Sequence, residues 1–178
     1  ESFRFENPHR DFLPQKLRQW WDQWDPAGSL PIFRVSYSPD PEIGLQVSME
    51  VKDIEFSLPY GSVRPFPRMT HGSGVFTIVN DTIRIEDLTG RIEDITYHIQ
   101  GQVQGLDTDA PFRFQVRTDP FVIAKEPNYF YALPPIIQKH FKRFSPSGTF
   151  EVQDVIIERR RSQGQLSYNG TLKVIDVD

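Results

Sequence analysis

The chain has 178 residues with 20 basic against 24 acidic side chains and a net charge of −4, which excludes a general nucleic-acid binder, since that needs a basic face. Apolar residues make up 38%, and the 11 glycines lift the share only to about the usual globular range; much of the apolar surface therefore sits in a few large side chains, 14 of them Phe. Cysteine is absent, which removes any disulfide framework or thiolate metal site without choosing between an oxidising and a reducing compartment.

No apolar run approaches the roughly 18 residues of a membrane span, and no signal peptide opens the chain. The first residue is Glu1, which reads as the start of a processed or excised fragment. Residues 1–12 form an N-terminal extension. The stretch LPQKLRQWWDQWDPAG (13–28) then places Leu13, Leu17, Trp20, Trp21 and Trp24 on one face at helical period. Pro14 suits the first helical turn, Pro26 stops the helix and Gly28 lets the chain turn. Burying five such side chains contributes about 8–15 kcal/mol at ~1.5–3 each, as an upper bound, so the helix is expected to dock.

Strands follow. Residues 29–37 and 44–57 read as a long hairpin through Ser38-Pro39-Asp40-Pro41, and a Pro-rich loop runs from Leu58 to Arg68. Gly74–Val79 and Thr82–Leu88 pair around Asn80-Asp81, a tight-turn dipeptide. Gly90 leads into one long strand from Arg91 to Leu106, and Asp107–Ala110 turns the chain into Pro111–Thr118. A second amphipathic helix, LPPIIQKHFKRFSPSG (133–148), carries Leu133, Ile136, Ile137, His140, Phe141 and Phe144 on its apolar face. A last hairpin covers 149–159 and 164–177.

The alternation is one-sided. Ile95, Tyr97, Ile99 and Val103 share a face; Phe112, Phe114 and Val116 alternate with Arg113, Gln115 and Arg117; Phe76, Ile78, Ile83 and Ile85 continue the pattern. This predicts a mostly β chain, an antiparallel sheet with one apolar and one solvated face. The eleven apolar positions are the candidate binding face.

The two helices also repeat each other at an offset of 120 residues. Leu13-Pro14 matches Leu133-Pro134, Leu17 matches Ile137, Trp21 matches Phe141, Trp24 matches Phe144, and Pro26-Ala27-Gly28 matches Pro146-Ser147-Gly148. Val35 meets Val155, and with one insertion 45–56 lies against 166–177. The chain thus divides into the extension, one complete unit over 13–132, and the start of a second over 133–178. The pairs Leu13, Leu17, Trp21, Trp24 and Leu133, Ile137, Phe141, Phe144 are the candidate helix-packing residues.

Catalysis finds little support. The four histidines are far apart, and no nucleophile elbow, zinc helix or phosphate loop is present. His71-Gly72-Ser73-Gly74 precedes a strand and reads as a loop. His98 falls on a polar strand face. Glu86-Asp87 and Glu93-Asp94 read as solvated faces and turns, and carboxylate spacing alone leaves a glycosidase pair open. Glu158-Arg159-Arg160-Arg161 reads as a charged hairpin tip that blocks edge aggregation, with a phosphate or headgroup contact as the functional alternative. The sequons Asn80-Asp81-Thr82 and Asn169-Gly170-Thr171 both read better as turns. The tryptophans could stack a sugar or base, but the Phe echo favours packing. No enzyme activity, metal or cofactor is expected.

The two Leu-Pro…Pro-x-Gly helices and the strand text GSGVFTIVNDTIRIEDLTGRIEDITYHIQGQVQGL (72–106) resemble the AsmA-like envelope proteins, relatives of TamB within the repeating β-groove lipid-transfer proteins. The resemblance covers most of the chain, and its order and period carry it more than any one motif. It implies a long, strongly twisted antiparallel sheet curled into a gutter, with an apolar concave face sheltering lipid acyl chains at about 0.8 kcal/mol per methylene. It also implies units joined end to end across the bacterial periplasm, in a longer protein with an N-terminal membrane anchor. Expected partners are acyl chains, adjacent units and other envelope proteins, in phospholipid transport or envelope assembly. A structural or protein-interaction module, its groove plugged by the helices, and a carbohydrate-binding or hydrolytic β-domain are the competing expectations.

Overall fold

The computed structural model describes residues 3–5, 10–11, 18, 21–22, 24–40, 44–57, 68–105, 109–123, 139, 143, 147–162 and 164–176. Ten strands lie among them: β1 (Phe3–Phe5), β2 (Ala27–Tyr37), β3 (Leu45–Ser57), β4 (Arg68–Val79), β5 (Thr82–Ile92), β6 (Ile95–Gln104), β7 (Phe112–Thr118), β8 (Phe121–Ile123), β9 (Gly148–Arg159) and β10 (Ser167–Asp176). They form one open antiparallel sheet in the order β1-β2-β3-β4-β5-β6-β7-β9-β10, with β8 also on β9. The mostly β, antiparallel expectation is met.

Turn chemistry explains the hairpins. Asn80 and Asp81 both take positive φ, 47° and 60°, the left-handed pair that a two-residue hairpin needs, and Val79 faces Thr82 across them. Glu93 does the same work with a less suited residue, at φ 54°. The expected single strand from Arg91 to Leu106 is therefore two strands, with Ile92 facing Ile95 across a turn. Two acidic residues gave too weak a turn signal to break an otherwise regular β text.

Four further expectations are corrected. His71-Gly72-Ser73-Gly74 is not a loop but the middle of β4, where Gly72 pairs with Ile54. Strand β5 runs past Leu88 to Ile92. Asn169-Gly170-Thr171 is not a turn but lies inside β10, with Gly170 facing Val155. Glu158 and Arg159 are not at a hairpin tip but close β9. Each error has the same cause: a polar or Gly-rich word can sit in a strand once a neighbouring strand supplies the ladder.

Bulges interrupt β3, β4 and β5 at neighbouring rungs. The register shifts between Val51 and Ile54, between Thr70 and Ser73, and between Ile85 and Leu88. Asp53 (φ 51°) and His71 (φ 53°) take the left-handed conformation at the first two, and their side chains meet at 2.9 Å. An extra residue bends its strand and sharpens the local twist.

The core gathers around these bulges, at Leu30, Val51, Ile54, Met69 and Leu88. Met69 is fully enclosed and Leu88 is 2% exposed. Trp21 is buried, and Trp24 packs on Phe56 with ring centroids 5.7 Å apart, so the tryptophan segment docks on this end. Trp21, Asp22 and Trp24 are helical. Asp25 N–H closes the last turn on Trp21 O at 2.7 Å while adopting φ 45°, and Arg68 Nη1 donates to Asp25 Oδ2 at 2.7 Å. The helix thus ends on Asp25, one residue before Pro26. Lys139 and Arg143 of the second segment are also helical. Leu13, Leu17, Leu133, Ile137, Phe141 and Phe144 lie outside the described residues.

Candidate functional site

Side chains opposite each other in an antiparallel ladder share a face. The register therefore traces apolar rows across the strands. One row runs Val35, Val47, Ile78, Ile83, Val103 and Phe112, and ends on Arg159. The next runs Met49, Phe76, Ile85, Gly101, Phe114, Ile157 and Tyr168. A third runs Val51, Gly74, Leu88, Ile99, Val116 and Val155. Tyr97 and Ile95 continue the same face towards the core end, opposite Gly90 and Ile92. All eleven candidate face residues are brought to one side of the sheet.

Their burial is graded. Ile95 is buried at the core end, whereas Phe76, Ile78, Ile83, Ile85, Tyr97, Ile99, Val103, Phe112, Phe114 and Val116 are half-buried. The half-buried apolar part of the first row, Val47 to Phe112, crosses five strands and spans about 19 Å, four steps of ~4.8 Å.

Gly101 interrupts the second row for a steric reason. At φ 156° a Cβ there would come within 2.2 Å of Arg113 O and 2.7 Å of Phe114 Cδ1. The Phe114 ring fills the space that a side chain at Gly101 would take, and stacks on Phe112 at 5.0 Å. Arg159 closes the first row. Its guanidinium lies 5.1 Å from the Phe112 ring centroid, and Nε and Nη2 donate to Ala110 O at 3.1 and 2.9 Å.

Sequence reasoning left Val47, Met49, Val51, Leu88, Val155 and Ile157 out of the candidate face. Simple alternation in 45–51 would have found the first three. Leu88 could not be found that way: the bulge at Glu86 puts residues 85 and 88 on the same face, against the period of two.

The opposite face is a polar ladder. Ser48, Thr77, Arg84, Gln102, Arg113 and Glu158 align across six strands. Glu158 accepts from Arg113 Nη1 at 2.9 Å, Arg160 Nε at 2.7 Å and Ser167 Oγ at 3.3 Å. These bonds, Arg160's foremost, hold its carboxyl below the usual carboxylate range. His98 sits between Thr89 Oγ1, 3.1 Å from Nδ1, and Asp119 Oδ1, 3.0 Å from Nε2, in a shallow depression shared with Arg117 and Glu151. Among the described residues, no three His, Asp or Glu side chains are grouped to hold a metal, and no helix is long and apolar enough to cross a membrane.

Fold and face together define an open antiparallel sheet protein with one apolar and one polar side. No family model matches the chain, and no curated protein or solved structure matches it.

Proposed function

We propose that the half-buried apolar rows form a groove for lipid acyl chains, within a repeating cell-envelope protein of the AsmA-like kind. The observation that carries this reading is the uninterrupted run of apolar side chains, Val47 through Phe112, left half-exposed across the sheet while the other face is mainly polar. A monomeric soluble domain rarely leaves so large an apolar patch without a ligand or partner. Its length of about 19 Å exceeds that of one leaflet's hydrocarbon, about half of a ~30 Å core. The sheet supplies bulk and concealment, with no chemistry required of it. On this reading the surroundings are the periplasm, the partners are acyl chains and neighbouring units, and phospholipid transport or envelope assembly is the task. The period of 120 residues is supported by Gly28 and Gly148, which both take φ 130° at matched positions.

The test is native mass spectrometry of the purified protein with lipid extraction. Acyl lipid is expected to co-purify, and Ile83→Asp with Phe114→Asp is expected to remove most of it while circular dichroism keeps its β signature. A folded protein free of lipid, and unable to take it up from vesicles, would overturn the reading.

A second reading has its own observation. Trp21 is buried and Trp24 packs on Phe56, so the helix plugs one end of the apolar face. If the plug were complete, the module would serve structure or protein contact only. Brominated lipid would then leave tryptophan fluorescence unchanged and Ile83→Asp would release nothing.

A further inference from the structure

The two long hairpins, β2–β3 and β9–β10, begin alike. Gly28 and Gly148 share φ 130°, and Leu30 and Phe150 are both buried two residues later. Each opening is met on the same edge by a three-residue strand. Phe3–Phe5 runs antiparallel along Leu30 to Gly28, and Phe121–Ile123 runs antiparallel along Phe150 to Gly148. Beyond that point the hairpins differ. The rest of β9's edge is taken by β7, with Phe112 facing Arg159, Phe114 facing Ile157 and Val116 facing Val155. The matching part of β2, from Ile32 to Tyr37, has no strand on that edge among the described residues. Val35 is 56% exposed and Tyr37 76%.

We infer that the outer edge of β2 from Ile32 to Tyr37 accepts an antiparallel strand of β7's chemistry, supplied by a further unit of the same kind. An open edge offers a row of unpaired N–H and C=O groups and templates pairing. Alternation then selects which strand fits. The offset of 120 converts Val155 to Val35 and Ile157 to Tyr37, so the incoming residue of the Val116 type faces Val35 and the residue of the Phe114 type faces Tyr37. Val35 already lies in the apolar row through Val47, so this register extends the apolar face by one strand. The residue of the Gln115 type falls opposite Ser36, on the polar side with Gln46. A one-residue slip would place Arg and Gln side chains in the apolar row. The joint between units is therefore a strand pair, and the inference stands whether or not the face binds lipid.

The chain has no cysteine, so cross-linking reports this register cleanly. The Val35→Cys protein is mixed under a mild thiol–disulfide redox buffer with synthetic peptides of residues 111–119 carrying either Val116→Cys or Gln115→Cys. The Val116→Cys peptide is expected to cross-link at least several-fold faster, because the side chain at 115 points to the other face. The unmodified peptide is expected to slow hydrogen exchange of amides 32–37 in the wild-type protein. Tyr37→Lys is expected to weaken binding by about two- to fivefold, the effect of one lost cross-strand pair. Circular dichroism of both variants should match the wild type, since both side chains are exposed. Equal cross-linking by the two peptides, absence of protection, or protection elsewhere than 32–37 would overturn the inference. So would disulfide-independent self-association protecting β2 and β10 together, which would assign the edge to another copy's β10.

Discussion

Glu158 is a carboxylate with only 11% of its side chain exposed, so its charge must be met locally, and Arg113, Arg160 and Ser167 meet it. Its pKa is lowered by these partners, so the folded state holds its proton less tightly than the unfolded chain. That contribution is fully present above the unfolded glutamate pKa and is lost as pH falls through the folded value. Denaturant midpoints measured down a series from pH 6 to below 4 should fall, and Glu158→Gln should flatten part of that fall while lowering the midpoint at pH 6. Gly101 offers a steric counterpart. A methyl group there meets Arg113 O, so Gly101→Ala should destabilise by about 1–3 kcal/mol in urea unfolding. Gly101→Ala indistinguishable from wild type would mean that β6 and β7 separate more easily than their register implies.

At the level of the element, the bulges decide what could be read in advance. Leu88 is enclosed because the extra residue at Glu86 returns it to the apolar face, and Leu88→Ala should cost about 2–5 kcal/mol. Ile83→Ala, on a half-buried side chain in the same strand, should cost less; unfolding both variants under one condition checks the order. The hairpin turn at Glu93 strains a residue with a Cβ, and Glu93→Gly should raise stability by up to about 1 kcal/mol. Turn words such as Asn80-Asp81 and alternating words such as Phe112 to Val116 are legible because one strand and its own turn decide them. His71 to Gly74 and Asn169 to Thr171 were misread because their strand state depends on partners far along the chain. The face of residues 76 to 85 and 95 to 116 was legible from its period; the membership of Leu88 depends on a break in that period, which no count of two can anticipate. The tryptophan segment was legible as a docking helix from Leu-Pro and Pro-x-Gly, although the residue that ends it is Asp25.

For the whole molecule, the order of strands follows the order of the chain almost throughout, with β8 as the one detour. Each strand holds chiefly to the one before and the one after. Stability in such an array is close to a sum over neighbours, so it should be uneven along the sheet. Amides of β3, β4 and β5, beside the core cluster, should exchange slowest, and those of β10, exposed along its whole length, fastest; hydrogen exchange resolved by peptide would read this directly. The same order bears on how the chain folds. Closing a hairpin asks only for nearby residues to meet, so loop-closure entropy stays small at most steps, the pairing of β7 with β9 being the longest closure, and each finished strand offers the next a template. A chain delivered from its N-terminus can zip up one strand at a time, and a C-terminal truncation inside β10 should leave the earlier hairpins standing. The sheet is thus built to be made in the sequence in which it is written.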